Sequence, residues 1–344
     1  MPHAPSGESG ERLVIHRPGG PASADDFAGD VRRGLTLEKK SLPPKYFYDE
    51  LGSQLFDAIC LLPEYYLTRA EAEIFARRSG EIVERASGGS RVTLFELGSG
   101  SATKTRRIVE ALVAKQGELK YVPVDISPAA LEAGAHALIQ DFEGLEVSAY
   151  ASDYDAALPL LAGELREGGR ALVLFLGSNV GNFDREGACE FLKKVRRVLR
   201  AGDALLLGAD LKKERAVLEA AYDDELGVTA AFNLNLLARI NRELRADFSV
   251  HDFRHVALYD EREGRVEMHL ESGREQTARV DALDISISFR EGERIHTENS
   301  YKYDLEGLDA LAAETGFDRA ETWLDSSERF SSNLFVAKGN GSDE

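Results

Sequence analysis

The chain has 344 residues, a formal net charge of −18 and 43% hydrophobic residues, enough apolar content for a substantial core and enough length for two domains or one with a large insertion. The acid excess argues against nucleic-acid and anionic-membrane partners, which need a basic face, and no stretch reaches the ~20 apolar residues of a membrane span. Seven scattered histidines and two cysteines without C-x-x-C spacing point away from a metal site or disulfide framework, and towards small-molecule chemistry in the cytoplasm.

Residues 1–25 are rich in Pro, Gly and Ser, lack an apolar signal core, and read as a disordered lead-in. A short helix is predicted over 26–37. Pro43 and Pro44 then fix an extended start to an aromatic cluster, and Pro followed by paired tyrosines returns at Pro63, Tyr65 and Tyr66. Such aromatics either pack against the next domain or form a lid that lends tyrosine hydroxyls to a cleft. A helix over 69–86, with Ala72, Phe75 and Ile82 on one side, leads onward.

The stretch VTLFELGSGSATKTR, residues 92–106, reads as a buried parallel strand, a Gly-rich turn and a helix starting near Thr103. Gly98 and Gly100 remove Cβ atoms that would keep a ligand from the backbone, and the crevice beyond the strand ends is where open α/β sheets bind small ligands. A dinucleotide fingerprint needs a third Gly where this chain has Thr103, which disfavours a dehydrogenase. The shorter E-x-G-x-G form from Glu96 resembles the first motif of S-adenosylmethionine (SAM) methyltransferases. A tight turn with no ligand is the alternative.

Further βα units follow. Asp125 ends a strand that begins near Lys120, where a carboxylate can accept from both ribose hydroxyls or help cap the next helix. Ser127 and Pro128 are an N-cap and first-turn pair. A strand over 145–151 leads to Asp153 and Tyr154, suited to an adenine amino group and its base pocket. The strand over 171–176 runs into a loop of small and amide residues, where Asn182 suits either an acceptor substrate or a turn. A helix over 186–199 and a strand over 203–210 complete the alternation. It breaks over 211–300, where a helix that includes residues 222–233 and a second helix through Leu244 precede alternating strands over 266–270, 285–289 and 293–303. Period two puts Glu298 and Ser300 on one face, and Val266, Met268 and Leu270 on one face. A helix over 305–315 and a hairpin-like strand pair, 319–324 and 333–337, return to the α/β core.

The stretches PPKYFYDELGSQLFDAI, LPEYYLTRAEAEI, ELGSGSATKTR, FLGSNVGNF, YDDELGVTAAFN, RVEMHL and ERIHTENSYKY together resemble the SAM-dependent histidine Nα-methyltransferases of ergothioneine biosynthesis, from about Pro43 to the last strand. The resemblance implies an α/β chain: a class I (Rossmann-like) SAM methyltransferase domain over 69–210 and 303–339. It also implies a discontinuous α+β substrate-binding domain over 26–68 and 211–302, with 340–344 a tail. It implies trimethylation of the α-amino group of L-histidine to hercynine, SAM as the donor, no metal, and a monomer. Gly98, Lys104, Asp125, Asp153 and Tyr154 would form the SAM pocket, with Tyr48 at its edge. Asn182 and Tyr222 would bind the substrate carboxylate. Tyr65, Glu298 and Ser300 would recognise the imidazole, with Met268 shaping that pocket. Tyr48 would lie beside the amine, and Gly177 would offer it a carbonyl. The family usually has Thr where this chain has Asn179 and Phe where it has Tyr154.

The chemistry agrees with that resemblance. Methyl transfer from a sulfonium is an in-line displacement, so the protein mainly aligns a neutral amine and excludes water. Tyrosine faces tolerate a growing methylammonium without competing as nucleophiles. A carboxylate at 298 would fix an imidazole tautomer; by itself it is also an ordinary solvated strand residue. Two other readings are an N-methyltransferase of this family acting on another amino acid or an indole amine, and a SAM-binding regulator without catalysis.

Overall fold

The computed structural model describes residues 12–18, 24–165 and 168–339. In chain order come β1 (Leu13–His16), α1 (Ala24–Thr36), α2 (Glu50–Ile59) and α3 (Leu67–Ser87). The βα series is β2 (Val92–Leu97), α4 (Arg106–Gln116), β3 (Leu119–Asp125), α5 (Pro128–Asp141), β4 (Leu145–Ala151), α6 (Tyr154–Leu161), β5 (Arg170–Phe175), α7 (Arg185–Val198) and β6 (Ala204–Asp210). The inserted part holds α8 (Arg215–Tyr222), α9 (Val228–Leu244), β7 (Phe253–Asp260), β8 (Arg265–Ser272), β9 (Gln276–Val280), β10 (Ile285–Phe289) and β11 (Arg294–Tyr301). The chain closes with α10 (Leu305–Glu314), β12 (Phe317–Leu324) and β13 (Phe330–Ala337).

One sheet of eight strands carries the order β1-β4-β3-β2-β5-β6-β13-β12. Neighbours from β1 through β6 pair in parallel, and β13 is antiparallel to both β6 and β12. Every residue of β2 and β6 is buried, as expected of strands with helices on both faces. Leu94, Leu172 and Leu206 point into the core that contains Phe75 of α3. Their neighbours Phe95, Val173 and Leu205 point into the core with Phe191 of α7 and Leu308 of α10. The chain leaves β2 in one direction for β3 and β4, and in the other for β5 and β6. The carboxyl ends of β2 and β5 therefore flank the topological switch point, where such sheets bind ligands.

Five sequence expectations are corrected, the first being that the helix expected through residues 222–233 is broken: α8 ends at Tyr222 and α9 begins at Val228. The lead-in is not wholly disordered: the apolar run Leu13-Val-Ile-His16 pairs in parallel with the open edge of β4, and α1 already begins at Ala24. Residues 1–11 and 19–23 lie outside the described residues. Ala72 is exposed; the buried side of α3 is Ala70, Ile74, Phe75 and Ile82. The helix after the Gly-rich turn starts at Arg106, not near Thr103, because the Thr105 hydroxyl is drawn to the buried Glu96 carboxylate at 2.5 Å. Two strands of the insertion, β7 and β9, carry too mixed a pattern to stand out. The final strand pair does close the sheet as an antiparallel hairpin, with β13 against β6.

The insertion builds a three-stranded antiparallel sheet, β11-β8-β7, and the pair β10-β9. Residues of the N-terminal segment are tied to it. The Leu42 amide donates to the His296 carbonyl at 2.9 Å, and the His296 amide donates to Lys40 at 2.9 Å. Asn235 and Arg239 of α9 donate to the Asp49 carboxylate and the Tyr46 carbonyl, each at 2.9 Å.

Candidate active site

The site lies at the carboxyl ends of β2 and β5, facing the inserted sheet. Gly98 turns the chain at φ +77°, and a Cβ there would come within 2.6 Å of the Tyr154 hydroxyl and 3.0 Å of the Asn179 amide nitrogen. A side chain is excluded by conformation and by space alike. Next along the turn, the Ser99 hydroxyl is buried with no hydrogen-bond partner among the described residues, and a Cβ at Gly100 would meet open space. A buried orphan hydroxyl beside open backbone is a place where a ligand completes the bonding. The Asp125 carboxylate accepts from the Gly100 and Ser127 amides at 2.8 Å each. Burial raises its pKa against the pull of those backbone bonds. Each oxygen retains a lone pair, so Asp125 holds the turn and can still accept a hydrogen bond from a ligand. Asp153 caps α6 through the Ala156 amide at 2.8 Å, and Tyr154 packs edge-on against Phe175 and tilted against Phe191. These groups fit a nucleoside bound at the end of β3 and the start of α6.

Glu96, the acid of the Gly-rich motif, faces inward. It accepts from Thr105 and Tyr121, and burial pushes its carboxyl up to about 7 against those bonds. Its role is to anchor the turn.

A cavity next to this cleft is lined by Tyr48, Tyr65, Gly177 and Asn182 on one side, and by Tyr222, Met268, Glu298 and Ser300 on the other. All eight residues assigned by resemblance to the acceptor therefore meet, although they come from six separate segments. Gly177 and Asn182 sit on the loop after β5, which turns at φ +69° for Gly177 and +61° for Ser178. The latter is an uncommon conformation for a residue with a side chain. Glu298 reaches the cavity through a β-bulge. His296 pairs with His269, but Glu298 pairs with Met268, so one residue, Thr297, is inserted in the ladder. His296 and Glu298 thus face opposite ways despite being two apart, and Glu298 and Ser300 share the face of Met268 and Val266.

Glu298 is 8% exposed, and its carboxylate has no hydrogen-bond partner among the described residues. Burial pushes its pKa up to about 7, opposed only by the charge of Lys302. Burial also raises the Tyr48 hydroxyl well above its ordinary value, reinforced by the charges of Glu298, Tyr154 and Asp125. Tyr48 therefore stays protonated and lies within electrostatic reach of both the acceptor end and the cofactor end. Its ring packs edge-on to Phe56 and Phe232, which also line the cavity. An open cleft lined by Asp30, Ser41, Pro43 and His296 reaches the same Asn182 and Glu298 from outside.

Sequence reasoning missed three buried charges behind these walls. Glu71 of α3 is fully buried and accepts from the Gly177 amide at 3.0 Å and from Lys104 at 2.8 Å. Burial would depress the Lys104 ammonium, but Glu71 outweighs it and its pKa is raised. Lys302 and Asp210 pair at 2.9 Å, both with no exposed side-chain surface. The only sequence signal was position: Glu71 and Lys302 lie inside two of the quoted stretches.

The sheet order with an antiparallel seventh strand, the Gly-rich turn and the acid at the end of β3 define a class I SAM-dependent methyltransferase. The sequence model of the family "Histidine-specific methyltransferase, SAM-dependent" matches residues 27–337. A Mycobacterium tuberculosis protein named histidine N-alpha-methyltransferase is 45% identical over 305 residues, spanning 89% of this chain and 93% of its own. A Mycolicibacterium smegmatis protein of the same name is 43% identical over 315 residues, spanning 92% and 96%. Ergothioneine biosynthesis protein 1 of Neurospora crassa is 30% identical over 287 residues, 83% of this chain but 32% of that longer protein. The chain belongs to the family of SAM-dependent, histidine-specific methyltransferases.

Proposed function

We propose that this protein transfers three methyl groups from SAM to the α-amino nitrogen of L-histidine, giving hercynine, the first step of ergothioneine biosynthesis. The observation that carries this reading is Glu298: a buried, unpartnered carboxylate in a cavity otherwise lined by aromatic, amide and hydroxyl groups. Such a group calls for a ligand that brings its own N–H, and an imidazole does so while having its tautomer fixed. Tyr65 and Ser300 complete the imidazole end, Met268 limits its width, and Asn182 and Tyr222 hold the carboxylate.

SAM supplies an electrophilic methyl on a sulfonium. Gly98, Lys104, Asp125, Asp153, Tyr154 and Tyr48 hold it. The protein's work is then to align the amine and keep water out. In the first two transfers the Gly177 carbonyl accepts an N–H of the amine, which fixes the direction of its lone pair, and the ammonium formed gives up one proton to solvent while S-adenosylhomocysteine is exchanged for SAM. The dimethylated amine of the third transfer has no N–H, and the neutral Tyr48 hydroxyl sits beside the same nitrogen. Among the described residues no helix is long and apolar enough to cross a membrane. We place the enzyme in the cytoplasm as a monomer, with residues 26–68 and 211–302 forming the substrate-binding domain and residues 69–210 and 303–339 the SAM-binding domain.

The test is to incubate the purified protein with SAM and an equimolar panel of the twenty amino acids plus tryptamine, and to follow products by mass spectrometry. Histidine alone should gain up to three methyls. Methylation of another amine would mean the acceptor pocket is misread, and SAM binding with no product would support a regulator.

A further inference from the structure

Lys302 follows β11 at the back wall of the cavity and has no exposed surface in its side chain. A fully buried lysine is rare and costly unless paired and hydrogen-bonded. Its three N–H groups are all committed: to Asp210 at 2.9 Å, to the Tyr222 hydroxyl oxygen at 2.8 Å and to the Ser300 hydroxyl oxygen at 2.9 Å. The two hydroxyls are themselves 2.7 Å apart.

Counting protons fixes the direction of this group. An ammonium only donates, so neither hydroxyl proton can point at Lys302. One proton lies between the two oxygens. The second has no acceptor among the described residues and is left facing the cavity that both side chains line. Replacing the ammonium by a group that accepts, or by none, would free that proton to turn inward. Asp210 holds Lys302 in place with help of its own: its carboxylate also takes Lys213 at 2.6 Å and Tyr66 at 2.8 Å. Its backbone amide donates to Ser178 on the loop after β5 at 3.0 Å.

We propose that Lys302, anchored by Asp210, is a positioning residue for the acceptor substrate: it orients the Tyr222 and Ser300 hydroxyls so that the pair presents one fixed hydrogen-bond donor to the bound amino acid. This rests on the reading that Tyr222 and Ser300 contact the substrate. It also gives the acceptor end a buried positive charge that the substrate never touches.

The test is a mutant cycle on histidine kinetics, with S-adenosylhomocysteine affinity as a check on the cofactor site. K302M should raise the histidine KM about 10- to 100-fold, the size of one lost charge-assisted hydrogen bond, with kcat and S-adenosylhomocysteine affinity changed less than about twofold. In the Y222F/S300A background the same substitution should add less than about twofold, because its effect passes through those hydroxyls. Equal effects in both backgrounds, or a matching fall in kcat and cofactor affinity, would show a structural role only and overturn the proposal. If Y222F/S300A leaves the histidine KM unchanged, the substrate reading falls and takes the proposal with it. Should K302M fail to fold, shown by loss of its cooperative unfolding transition, K302M/D210N removes the stranded carboxylate as well, and the same KM criterion applies.

Discussion

The carboxylate of Glu71 accepts the backbone amide of Gly177 with both oxygens, at 3.0 Å each, and so connects α3 to the loop after β5. The same carboxylate holds Lys104, a residue of the cofactor turn. The Gly-rich turn and the loop after β5 are thus fixed to one buried charge. Gly208 on β6 makes the room: a Cβ there would lie 2.3 Å from the Glu71 carboxylate.

In E71Q the amide nitrogen would face either the Gly177 N–H or the Lys104 ammonium, donor against donor. The buried pair loses one partner, at a cost of about 2 kcal/mol, below the full value for a buried pair because Lys104 is 29% exposed. Thermal unfolding should move down by several degrees. Once the Gly177 carbonyl is no longer held, kcat should fall at least about tenfold. An unchanged kcat in folded E71Q would remove Glu71 from the account.

Asp125 ties the Gly100 amide of the Gly-rich turn to the Ser127 amide that opens α5. D125A should weaken SAM binding about 10- to 100-fold, as expected for a lost charged acceptor. The histidine KM at saturating SAM should change little. Calorimetric titration of SAM and of S-adenosylhomocysteine reads the first effect directly.

Tyr48 keeps its proton and packs edge-on to Phe56 and Phe232. Y48F preserves the ring and removes the hydroxyl beside the amine. The first transfer should survive, while mono- and dimethylhistidine accumulate, because the partly methylated amine has lost a polar partner that keeps it aligned. Time-resolved mass spectrometry should show those intermediates in Y48F and only trimethylated product in the parent. An identical product distribution would mean the hydroxyl does not touch the amine.

Much of this was readable from the residues. The strands β2, β5 and β6 are near-continuous apolar runs because they are covered on both sides, and that pattern survives any loop. The shared face of Glu298 and Ser300 follows from period two. Thr297 was the exception: an inserted residue flips the alternation upstream, and nothing local in His-Thr-Glu announces it. The buried charges were hidden for another reason. Glu71 meets Lys104 33 positions away, and Lys302 meets Tyr222 80 positions away, so each reads alone as an ordinary surface charge. The strand Leu13–His16 has four residues, too few for periodicity, and exists because the edge of β4 is there to receive it.

Glu298 makes the reaction sensitive to pH in a specific way. Its carboxyl is pushed up to about 7 by burial, near the ordinary imidazole value of about 6.5. With histidine bound as proposed, an ionised Glu298 above pH 7 would accept from the imidazole, whereas below about 6 the Glu298 of the empty site is protonated and no longer offers that acceptor. E298Q cannot titrate, so the ratio of parent to E298Q in kcat/KM for histidine should be largest at pH 8 and shrink as pH falls through 7. Taking the ratio cancels the titration of the substrate's own amine and imidazole. Stability runs the other way. The folded protein keeps this proton up to about 7, whereas the unfolded chain releases it near 4.5, so folding binds a proton between those values. Stability contributed by the neutral acid is present below pH 4.5 and lost as pH rises through 7. E298Q should therefore gain on the parent as pH rises, by up to about 3 kcal/mol at pH 8, and bound histidine should narrow that gap. A ratio flat from pH 6 to 9, together with parallel unfolding curves, would mean that Glu298 is not the imidazole partner.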